Sequence, residues 1–458
     1  MNARPWERPC TVAVVGVGVM GEAVARALVG RGYGVTLVDD RPSSRHDALA
    51  AELGATFRPA PAHDDDAAWD AVLAGAAAFL PTPGLPERHP AFTAARRCAL
   101  PTISEFDLAA AWDSRPLVAI TGTNGKTTVT MMVTAMAERS GRRAAAVGNT
   151  DVPLVAALDD AATELFVVEA SSFRLGHSAR FAPTVATWLN FAPDHLDVHV
   201  DLAAYEAAKA RIWADQQSSD VAVGNLDDPV VATHLAAAPA RRVGFSATPT
   251  ATAVPGRYGL AGGMLHDDEG RPLLAVGELP RALPHDVANA LAAIATAVAA
   301  GADRAAAVEV VRGWRQLPHR VQLVAESDGL RFYDDSKATT PHATLAALAG
   351  FERAVLIAGG QNKGIDLGPL RQAAGRLRAV GAIGAAAAEV AAVFDGSVPV
   401  VEITTNMDDA VAAAASVAEP GDAVVLSPAC ASFDWYRNYG ERGDDFARAA
   451  NAWTGGPR

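Results

Sequence analysis

The stretch LVAITGTNGKTT, residues 117–128, joins a short apolar run to a glycine-rich loop that ends in lysine and threonine. It departs from the Walker A pattern G-x-x-x-x-G-K-[ST], because Ile120 stands where the first glycine belongs. The loop N–H groups and Lys126 nevertheless suit triphosphate oxygens, and the hydroxyl of Thr127 or Thr128 suits Mg²⁺. The stretch therefore predicts a strand, a phosphate-binding loop and a helix in an α/β sheet.

Length and composition limit the classes of protein that this chain can belong to. A chain of 458 residues is long enough for about three domains. A formal charge of -13 argues against non-specific binding to nucleic acid or to acidic membranes. Three widely spaced cysteines give no disulfide framework, and the apolar runs are shorter than the roughly 20 residues of a membrane span. We expect a cytoplasmic monomer that binds neither nucleic acid nor membranes.

Short apolar strands alternate with helical segments along the whole chain, which is typical of α/β domains with mostly parallel sheets. The first segment opens with a βαβ pattern, and the third repeats the same rhythm after LPHR. We predict a Rossmann-like N-terminal domain (1–112), a central P-loop ATPase-type domain (113–317) and a Rossmann-like C-terminal domain (318–458).

The N-terminal strand is followed by GVGVMG, residues 16–21, a complete G-x-G-x-x-G pattern. Asp39 ends the next strand about 20 residues later, where the dinucleotide fingerprint places an acidic residue. Taken alone, the motif favours a nicotinamide-dependent dehydrogenase. A tight turn without any ligand is the alternative.

Further polar residues follow predicted strands in the central segment. Glu169 ends the strand LFVVE, and His195 follows Asp194 just past the strand TVATWLN. Beside a phosphate loop, a strand-end carboxylate and a neutral imidazole suit a divalent cation. A helix cap or a hydrogen-bonding histidine would explain them without a metal. From spacing alone, Lys209 in the helical stretch LAAYEAAKARIWA is predicted to be solvated.

Three loops of the last segment carry polar groups at strand ends: DSKAT (335–339), GGQNK (359–363) and SPACAS (427–432). Ordinary turn chemistry accounts for such sequences. Two lysines in these loops of an acidic chain also suit a small anionic substrate. Cys430 has no nearby histidine in the sequence, so we interpret it as structural.

Several motifs together resemble the Mur ligases of peptidoglycan synthesis, whose phosphate loop has the form G-T-N-G-K-[ST]. Further blocks follow in the order of that family over nearly the whole chain. They are EASSFRL (169–175), NFAPDHLD (190–197), AAKARI (207–212), LPHR (317–320), DSKAT (335–339) and SPACASFDWYRNYGERG (427–443). The last two blocks look most like the branch that joins D-glutamate to UDP-N-acetylmuramoyl-L-alanine. The D-N-P-R signature of the diaminopimelate- or lysine-adding branch is absent.

The resemblance implies an ATP-dependent amide ligase that acts through an acyl phosphate, with ATP, UDP-N-acetylmuramoyl-L-alanine and D-glutamate as substrates. ATP would be held by Gly122, Thr123, Asn124, Gly125, Lys126, Thr127, Thr128, Asn289, Arg320 and Asp335. The implied catalytic residues are Lys126, Glu169, His195 and Lys209. One Mg²⁺ would be served by Thr127 and Glu169, and a second by His195 with Lys209 carrying a carbamate. That modification reverses the interpretation of Lys209 as a solvated lysine.

The same resemblance assigns the two other substrates. The UDP-sugar would contact Gly16, Gly18, Val19, Met20, Gly21, Asp39, Arg41, Thr82, Gly84 and Asn149. Glutamate would contact Lys337, Thr339, Lys363, Ser432, Phe433 and Tyr439. The G-x-G-x-x-G loop then cradles a uridine diphosphate, and the dehydrogenase hypothesis loses its support.

The chain also departs from the family pattern. Asp286 stands where H-N-x-x-N has its first asparagine, Thr340 replaces a frequent asparagine, and AGGQNKGIDLG is an uncommon spelling. These departures put the adenine contact of Asp286 and the choice of amino acid in doubt. The alternatives are a ligase of the same superfamily that adds L-glutamate to a muramyl substrate, one that resembles folylpolyglutamate synthetase, and a Rossmann dehydrogenase.

Overall fold

The computed structural model describes residues 9–455, so the outermost ends of the first and last predicted domains (1–8 and 456–458) lie outside the described residues. Its elements form three sheets of four, nine and six strands. The chain divides into two compact units. The first unit contains Met1–Phe191, Asp197–Glu278 and Asn289–Arg312, and the second contains Ala192–Leu196, Leu279–Ala288 and Gly313–Arg458. The boundaries at 112 and 317 stay a prediction.

The N-terminal sheet is parallel throughout, in the order β3-β2-β1-β4. Its strands are β1 (Thr11–Val15), β2 (Gly34–Asp39), β3 (Thr56–Pro59) and β4 (Ala78–Pro81). Its helices are α1 (Val19–Gly30), α2 (Ser44–Leu53), α3 (Asp66–Leu73), α4 (Pro90–Arg97) and α5 (Glu105–Trp112). Val12 and Val14 pack against α1 on one face, whereas Ala13 packs beside Trp69 on the other. Helices on both faces explain why the strand sequence is continuously apolar.

The central sheet has the order β13-β12-β11-β10-β9-β8-β5-β7-β6, with β12 and β13 antiparallel to their neighbours. Its strands are β5 (Leu117–Thr121), β6 (Ala144–Gly148), β7 (Leu165–Glu169), β8 (Val185–Trp188), β9 (Val221–Asn225), β10 (Arg241–Thr250), β11 (Arg257–Ala261), β12 (Met264–His266) and β13 (Pro272–Ala275). Its helices are α6 (Lys126–Arg139), α7 (Leu154–Ala157), α8 (Ser172–His177), α9 (Leu202–Ala214), α10 (Pro229–Ala237), α11 (Pro284–Ala299) and α12 (Arg304–Arg312), with a 3-10 turn at Val276–Glu278. β5 lies between β7 and β8 and runs parallel to both. The loops that follow these three strands therefore meet at the carboxyl end of the sheet.

The C-terminal sheet has the order β14-β15-β19-β16-β17-β18, and the hairpin β14–β15 is followed by parallel pairs. Its strands are β14 (Gln322–Ser327), β15 (Leu330–Asp334), β16 (Ala354–Gly359), β17 (Leu377–Ile383), β18 (Val400–Ile403) and β19 (Ala423–Ala429). Its helices are α13 (Pro341–Leu348), α14 (Ala387–Phe394), α15 (Met407–Val417) and α16 (Tyr439–Gly455), with a 3-10 segment at Gly368–Arg376. The predicted arrangement of Rossmann-like, P-loop and Rossmann-like domains is confirmed. No helix within residues 9–455 has the length and apolarity needed to cross a bilayer.

Candidate active site

The phosphate loop between β5 and α6 is held in shape by its neighbours. Gly125, at φ +85°, caps α6, and a Cβ there would lie 2.6 Å from Oδ1 of Asn289. Asn190 fastens the loop from the other side. Its Oδ1 accepts from the Asn124 N–H at 2.8 Å, its Nδ2 donates to the Asn124 carbonyl at 3.1 Å, and its own carbonyl accepts from Thr123 N–H at 3.0 Å. The α6 N-terminus and Asn289 thus meet at a preformed loop, as an anion site requires.

Two lysines converge on one carbonyl of this loop. Nζ of Lys126 donates to the carbonyls of Gly122 and Thr123 at 2.8 and 2.9 Å. Nζ of Lys209 reaches the Gly122 carbonyl at 2.8 Å and lies 4.7 Å from the ring centre of Tyr205. Lys209 is 1% exposed, because this face of α9 packs against the sheet. The spacing-based prediction of a solvated Lys209 is therefore wrong.

Glu169 ends β7 next to the phosphate loop, since its neighbour Ala170 donates to the carbonyl of Ile120 at 2.8 Å. Glu169 is 2% exposed, and its Oε1 accepts from Nδ2 of Asn149 at 3.0 Å. Its Oε2 is buried without a hydrogen-bond partner among the described residues. Glu169 lies opposite Ile120, on the strand next to the one that leads into the phosphate loop, and its buried, unpaired oxygen is of the kind that Mg²⁺ prefers. The threonine hydroxyls of Thr127 and Thr128 at the start of α6 are further oxygen ligands of this kind. These residues fit the expected metal.

His195 belongs to the second compact unit, whereas Lys126, Glu169 and Lys209 belong to the first. Its backbone is at φ +56°, an uncommon conformation for a residue with a side chain. Its Nε2 lies 3.3 Å from Oδ2 of Asp194, and the ring is partly exposed. A partly exposed imidazole beside a carboxylate keeps the chemistry of a metal ligand or a proton carrier.

In the N-terminal domain, the first and third glycines of G-x-G-x-x-G are required by packing. A Cβ on Gly16 would lie 2.0 Å from Oγ1 of Thr82, and one on Gly21 would lie 2.1 Å from the Gly16 carbonyl. Gly16 and Gly84 have φ of +95° and +92°. The predicted loop and the predicted Thr82–Gly84 turn therefore lie side by side.

The acidic residue of the fingerprint is engaged by the protein itself. Oδ2 of Asp39 accepts from the Val17 N–H at 2.7 Å, and Oδ1 accepts from the Arg41 N–H at 2.8 Å. In a dinucleotide-binding loop this carboxylate holds a ribose hydroxyl. Here it also closes the glycine loop. Met20 packs into the core, while Val19 is exposed.

Two clusters outside these loops resemble reactive centres. Asp40, His63 and His89 bring potential ligand atoms within 4.8 Å of one another. However, Nδ1 of His89 accepts from the Ala91 N–H at 3.2 Å, so the neutral ring carries its proton on Nε2 and donates it to Asp40. A metal would need that nitrogen's lone pair. Burial lowers the pKa of His89, which keeps the ring neutral.

The second cluster is a serine–histidine–glutamate line. Nε2 of His199 lies 2.9 Å from Oγ of Ser172, and its Nδ1 lies 2.7 Å from Oε1 of Glu87. Ser172 and His199 are both fully buried, so no substrate reaches the hydroxyl. These hydrogen bonds therefore have a structural role, since they connect the loop that contains Glu87 to the central domain.

In the C-terminal domain, backbone bonds join the loops after β15, β16 and β19. Ala429 N–H donates to the Ala338 carbonyl at 2.9 Å, and Gln361 pairs with Ala431 in both directions. The buried guanidinium of Arg442 donates to Oγ and the carbonyl of Ser336 at 3.0 and 2.9 Å, and to the Ala431 carbonyl at 3.1 Å. Sequence reasoning gave Arg442 no role, although it lies in a quoted block.

The loops at this end of the C-terminal sheet contain the residues that were predicted to bind the substrate glutamate. Nζ of Lys337 lies 3.7 Å from the ring centre of Tyr439. Ser432 is buried and Phe433 is exposed. Lys363 and Thr339 are partly exposed in their loops.

Asp335 is buried beneath the same edge. Its Oδ2 accepts from Oγ of Ser427 at 2.7 Å, and its Oδ1 accepts from the Val321 N–H at 3.2 Å. Burial raises the pKa of Asp335 to about 7. A nucleotide contact at Asp335 would therefore involve a carboxyl that titrates near neutral pH.

The departure at Asp286 has a structural explanation. Arg281 binds its carboxylate in a fork, from Nε at 2.6 Å and Nη2 at 2.8 Å, and also donates to the Arg320 carbonyl at 2.7 Å. Asp286 thus orients Arg281, which in turn positions the chain at Arg320. An asparagine at this position could not accept both hydrogen bonds from Arg281, because its amide has only one oxygen.

Comparison with known proteins assigns the domains. The model of the Mur ligase middle domain matches residues 120–297, and that of the Mur ligase glutamate ligase domain matches 319–430. The model described as the NAD binding domain of 6-phosphogluconate dehydrogenase matches residues 11–76.

Curated relatives cover nearly the whole chain. The UDP-N-acetylmuramoylalanine–D-glutamate ligase of Frankia casuarinae is 45% identical over 97% of this chain and 94% of that protein. The protein of the same name from Methylococcus capsulatus is 41% identical, over 95% and 93% of the two chains. MurF from Acinetobacter baumannii has a similar fold, with a TM-score of 0.57 at 17% identity over 96% of this chain and 93% of that one.

Proposed function

The chain belongs to the Mur ligase family, and we propose that it is the ATP-dependent amide ligase that adds D-glutamate to UDP-N-acetylmuramoyl-L-alanine. The observation that carries the proposal is the convergence of Lys126 and Lys209 on the Gly122 carbonyl, both at 2.8 Å, beside the buried carboxylate of Glu169. This arrangement suits the binding and transfer of a phosphoryl group. We further propose a monomer that works in the cytoplasm, where ATP and the nucleotide-linked precursor are available.

The proposed reaction solves a problem of electrophilicity. A carboxylate resists attack, because attack breaks its resonance and adds charge to an anion. Transfer of the γ-phosphoryl group of ATP to the alanine carboxylate gives an acyl phosphate and ADP. The glutamate amine then adds to the carbonyl, and the tetrahedral intermediate expels phosphate to leave the amide. Lys126 would neutralise charge on the transferring group, while the α6 N–H groups bind the phosphates.

The residues that would hold two Mg²⁺ ions are Thr127 with Glu169, and His195 with carbamylated Lys209. Bound Mg²⁺ would neutralise phosphate charge during transfer. Carbamylation would join the neutral lysine nitrogen to the carbon of CO₂, with release of one proton. The nitrogen would keep one hydrogen for the Gly122 carbonyl, so the observed contact is compatible with the modification.

One assay tests the assignment. The protein is incubated with ATP, Mg²⁺, UDP-N-acetylmuramoyl-L-alanine and either enantiomer of glutamate, and the product is followed by mass. A new amide with D-glutamate is expected. ATP hydrolysis without any new amide would refute the ligase, and turnover of L-glutamate or of a folate acceptor would favour the related ligases. The match of residues 11–76 to an NAD-binding model makes NAD binding the test of the dehydrogenase alternative.

The carbamate requires its own test. Lys209→Ala should abolish turnover, and short carboxylic acids such as acetate should restore part of it by occupying the place of the carbamate. Arg211→Ala removes a partly exposed cation of the same helix and serves as the control. Full activity of Lys209→Ala would end the carbamate proposal.

A further inference from the structure

A line of polar side chains runs from the N-terminal domain to the proposed metal-binding carboxylate. Nε of Arg174 lies 2.5 Å from Oε1 of Glu105, and its Nη1 donates to Oδ1 of Asn149 at 3.1 Å. Nδ2 of Asn149 donates to Oε1 of Glu169 at 3.0 Å. All four residues belong to the first compact unit. We propose that Arg174 is a positioning residue, which acts through Asn149 to present Glu169 to the metal.

The direction of the Asn149 amide is set by what its two neighbours can do. A guanidinium has donors only, and an ionised carboxylate has acceptors only. Arg174 therefore faces the amide oxygen of Asn149, and the amide nitrogen must face Glu169. Without the guanidinium, the amide could turn and present oxygen to oxygen. Arg174 thus excludes the rotamer that would repel the carboxylate.

The consequence for Glu169 is an unequal use of its two oxygens. Oε1 is fixed by Asn149, whereas Oε2 is buried without a hydrogen-bond partner among the described residues. The carboxylate therefore offers one prepared oxygen to a cation. Residues that orient a ligand in this way commonly change metal affinity by about 10- to 100-fold.

Glu105 explains why a cation is tolerated near the metal site. It is 0% exposed and pairs with Arg174, which is also buried. Burial raises the pKa of Glu105, whereas the charge of Arg174 opposes the rise, and the ionised carboxylate offsets the positive charge of Arg174 near the metal site. Lysine cannot replace it, because a single ammonium cannot reach Glu105 and Asn149 with the geometry of the guanidinium fork.

The inference rests on the proposed Mg²⁺- and ATP-dependent function, but its test needs no turnover. Mn²⁺ binding to the full-length protein is titrated by electron paramagnetic resonance, with the imido analogue of ATP present and glutamate absent. Arg174→Lys should weaken the Mn²⁺ affinity about tenfold. At saturating Mg²⁺, kcat should be near that of the wild type, while the KM for Mg²⁺ rises.

A double-mutant cycle separates positioning from simple destabilisation. Asn149→Ala should weaken Mn²⁺ binding by a similar factor, and adding Arg174→Lys to it should change nothing further, because Arg174 acts through Asn149. Since Arg174→Lys could fail to fold, Arg174→Met with Glu105→Gln gives a second, uncharged variant with the same expectation. Arg304→Met removes a cation paired with buried Asp267 and is the control for lost stability.

The outcomes are distinct. Unchanged Mn²⁺ affinity in a folded Arg174 variant, or additive effects in the cycle, would overturn the inference, as would a wild type that binds no Mn²⁺. If the wild type binds Mn²⁺ and the cycle behaves as expected, the positioning role stands even where no amide forms with either glutamate enantiomer. In that case only the proposed function fails.

Discussion

Replacement of Asp335 by asparagine should make the protein more stable at neutral and alkaline pH and leave its stability nearly unchanged at pH 3.5, below both pKa values of the carboxyl. Asp335 is buried and accepts hydrogen bonds from Ser427 and Val321. Burial raises its pKa from 3.8 to about 7, although the bond from Ser427 opposes the rise. The folded state thus holds a proton on this carboxyl that the unfolded chain has already released.

The sign and size follow from proton linkage. A raised pKa contributes stability that is fully present below pH 3.8 and is lost as the pH rises through about 7. Between these values the free energy of unfolding falls by about 1.4 kcal/mol per pH unit, which gives at most roughly 4 kcal/mol in total. Above the folded pKa the contribution stays constant.

Asparagine imitates the protonated acid at this position. Its oxygen can accept from the Val321 N–H, and its nitrogen can donate to Oγ of Ser427. The Ser427 hydroxyl then donates to Oγ1 of Thr344, which lies 3.1 Å away. The variant therefore keeps the hydrogen bonds but cannot ionise. Scanning calorimetry from pH 3.5 to 8.5 should show the variant close to the wild type at pH 3.5, more stable by about 1.7 kcal/mol at pH 5 and more stable by roughly 4 kcal/mol at pH 8.

Asp422→Asn is a control of opposite sign. Burial opposes ionisation of Asp422, but hydrogen bonds from Arg378 and the Glu419 N–H lower its pKa below 3.8. Its stabilising contribution is present above pH 3.8 and is lost as the pH falls, so this variant should be destabilised most near neutral pH. A stability difference between Asp335→Asn and the wild type that is the same at every pH would refute the reasoning.

Three further substitutions probe the loops. Gly125→Ala should raise the KM for ATP about tenfold, because the added methyl group would press on Asn289. Gly141→Ala is the control for backbone strain alone. Gly141 has nearly the same φ, and no atom of the described part of the chain lies within 4 Å of the added methyl group. Arg442→Gln should raise the KM for glutamate about tenfold and leave the KM for ATP unchanged, because the loops around Ser336 and Ala431 lose their common donor. Lys126→Ala should lower kcat at least about a hundredfold while thermal melting stays near that of the wild type. Steady-state kinetics and melting curves check all three, and an unchanged kcat for the lysine variant would contradict its assigned role.

The sequence predicts the parallel strands well, because apolar runs end at glycine or polar turns. LFVVE coincides with β7 residue for residue, and TVATWLN contains β8. It does not predict the direction in which β12, β13 and β14 pair, since the same apolar spacing suits either direction. The region 246–284 is rich in Pro, Gly and Thr, which favours irregular structure or a small sheet, and in the structure its short strands β11, β12 and β13 extend one edge of the central sheet.

The candidate site is predictable to the extent that it depends on strand ends. Parallel strands deliver the phosphate loop, Glu169 and Asn190 to one edge, so their proximity follows from the α/β pattern. Burial of Lys209 does not follow, because its partner carbonyl at Gly122 is 87 positions away. The ion pair of Arg174 and Glu105 cannot be predicted either, because its two residues are also far apart in the sequence.

The side chains that hold the site in shape share one chemical property, which explains why local sequence reasoning gave them no supporting role. Asn149 and Arg442 each bond to groups on two different elements, and Asn190 binds both the N–H and the carbonyl of Asn124 in the phosphate loop. An amide or guanidinium can do this because its donors and acceptors are fixed in one plane. A substitution there moves two segments at once, so it should alter affinity for a ligand that the residue never touches. The motifs of this chain therefore contain residues that orient the site as well as residues that contact the substrates.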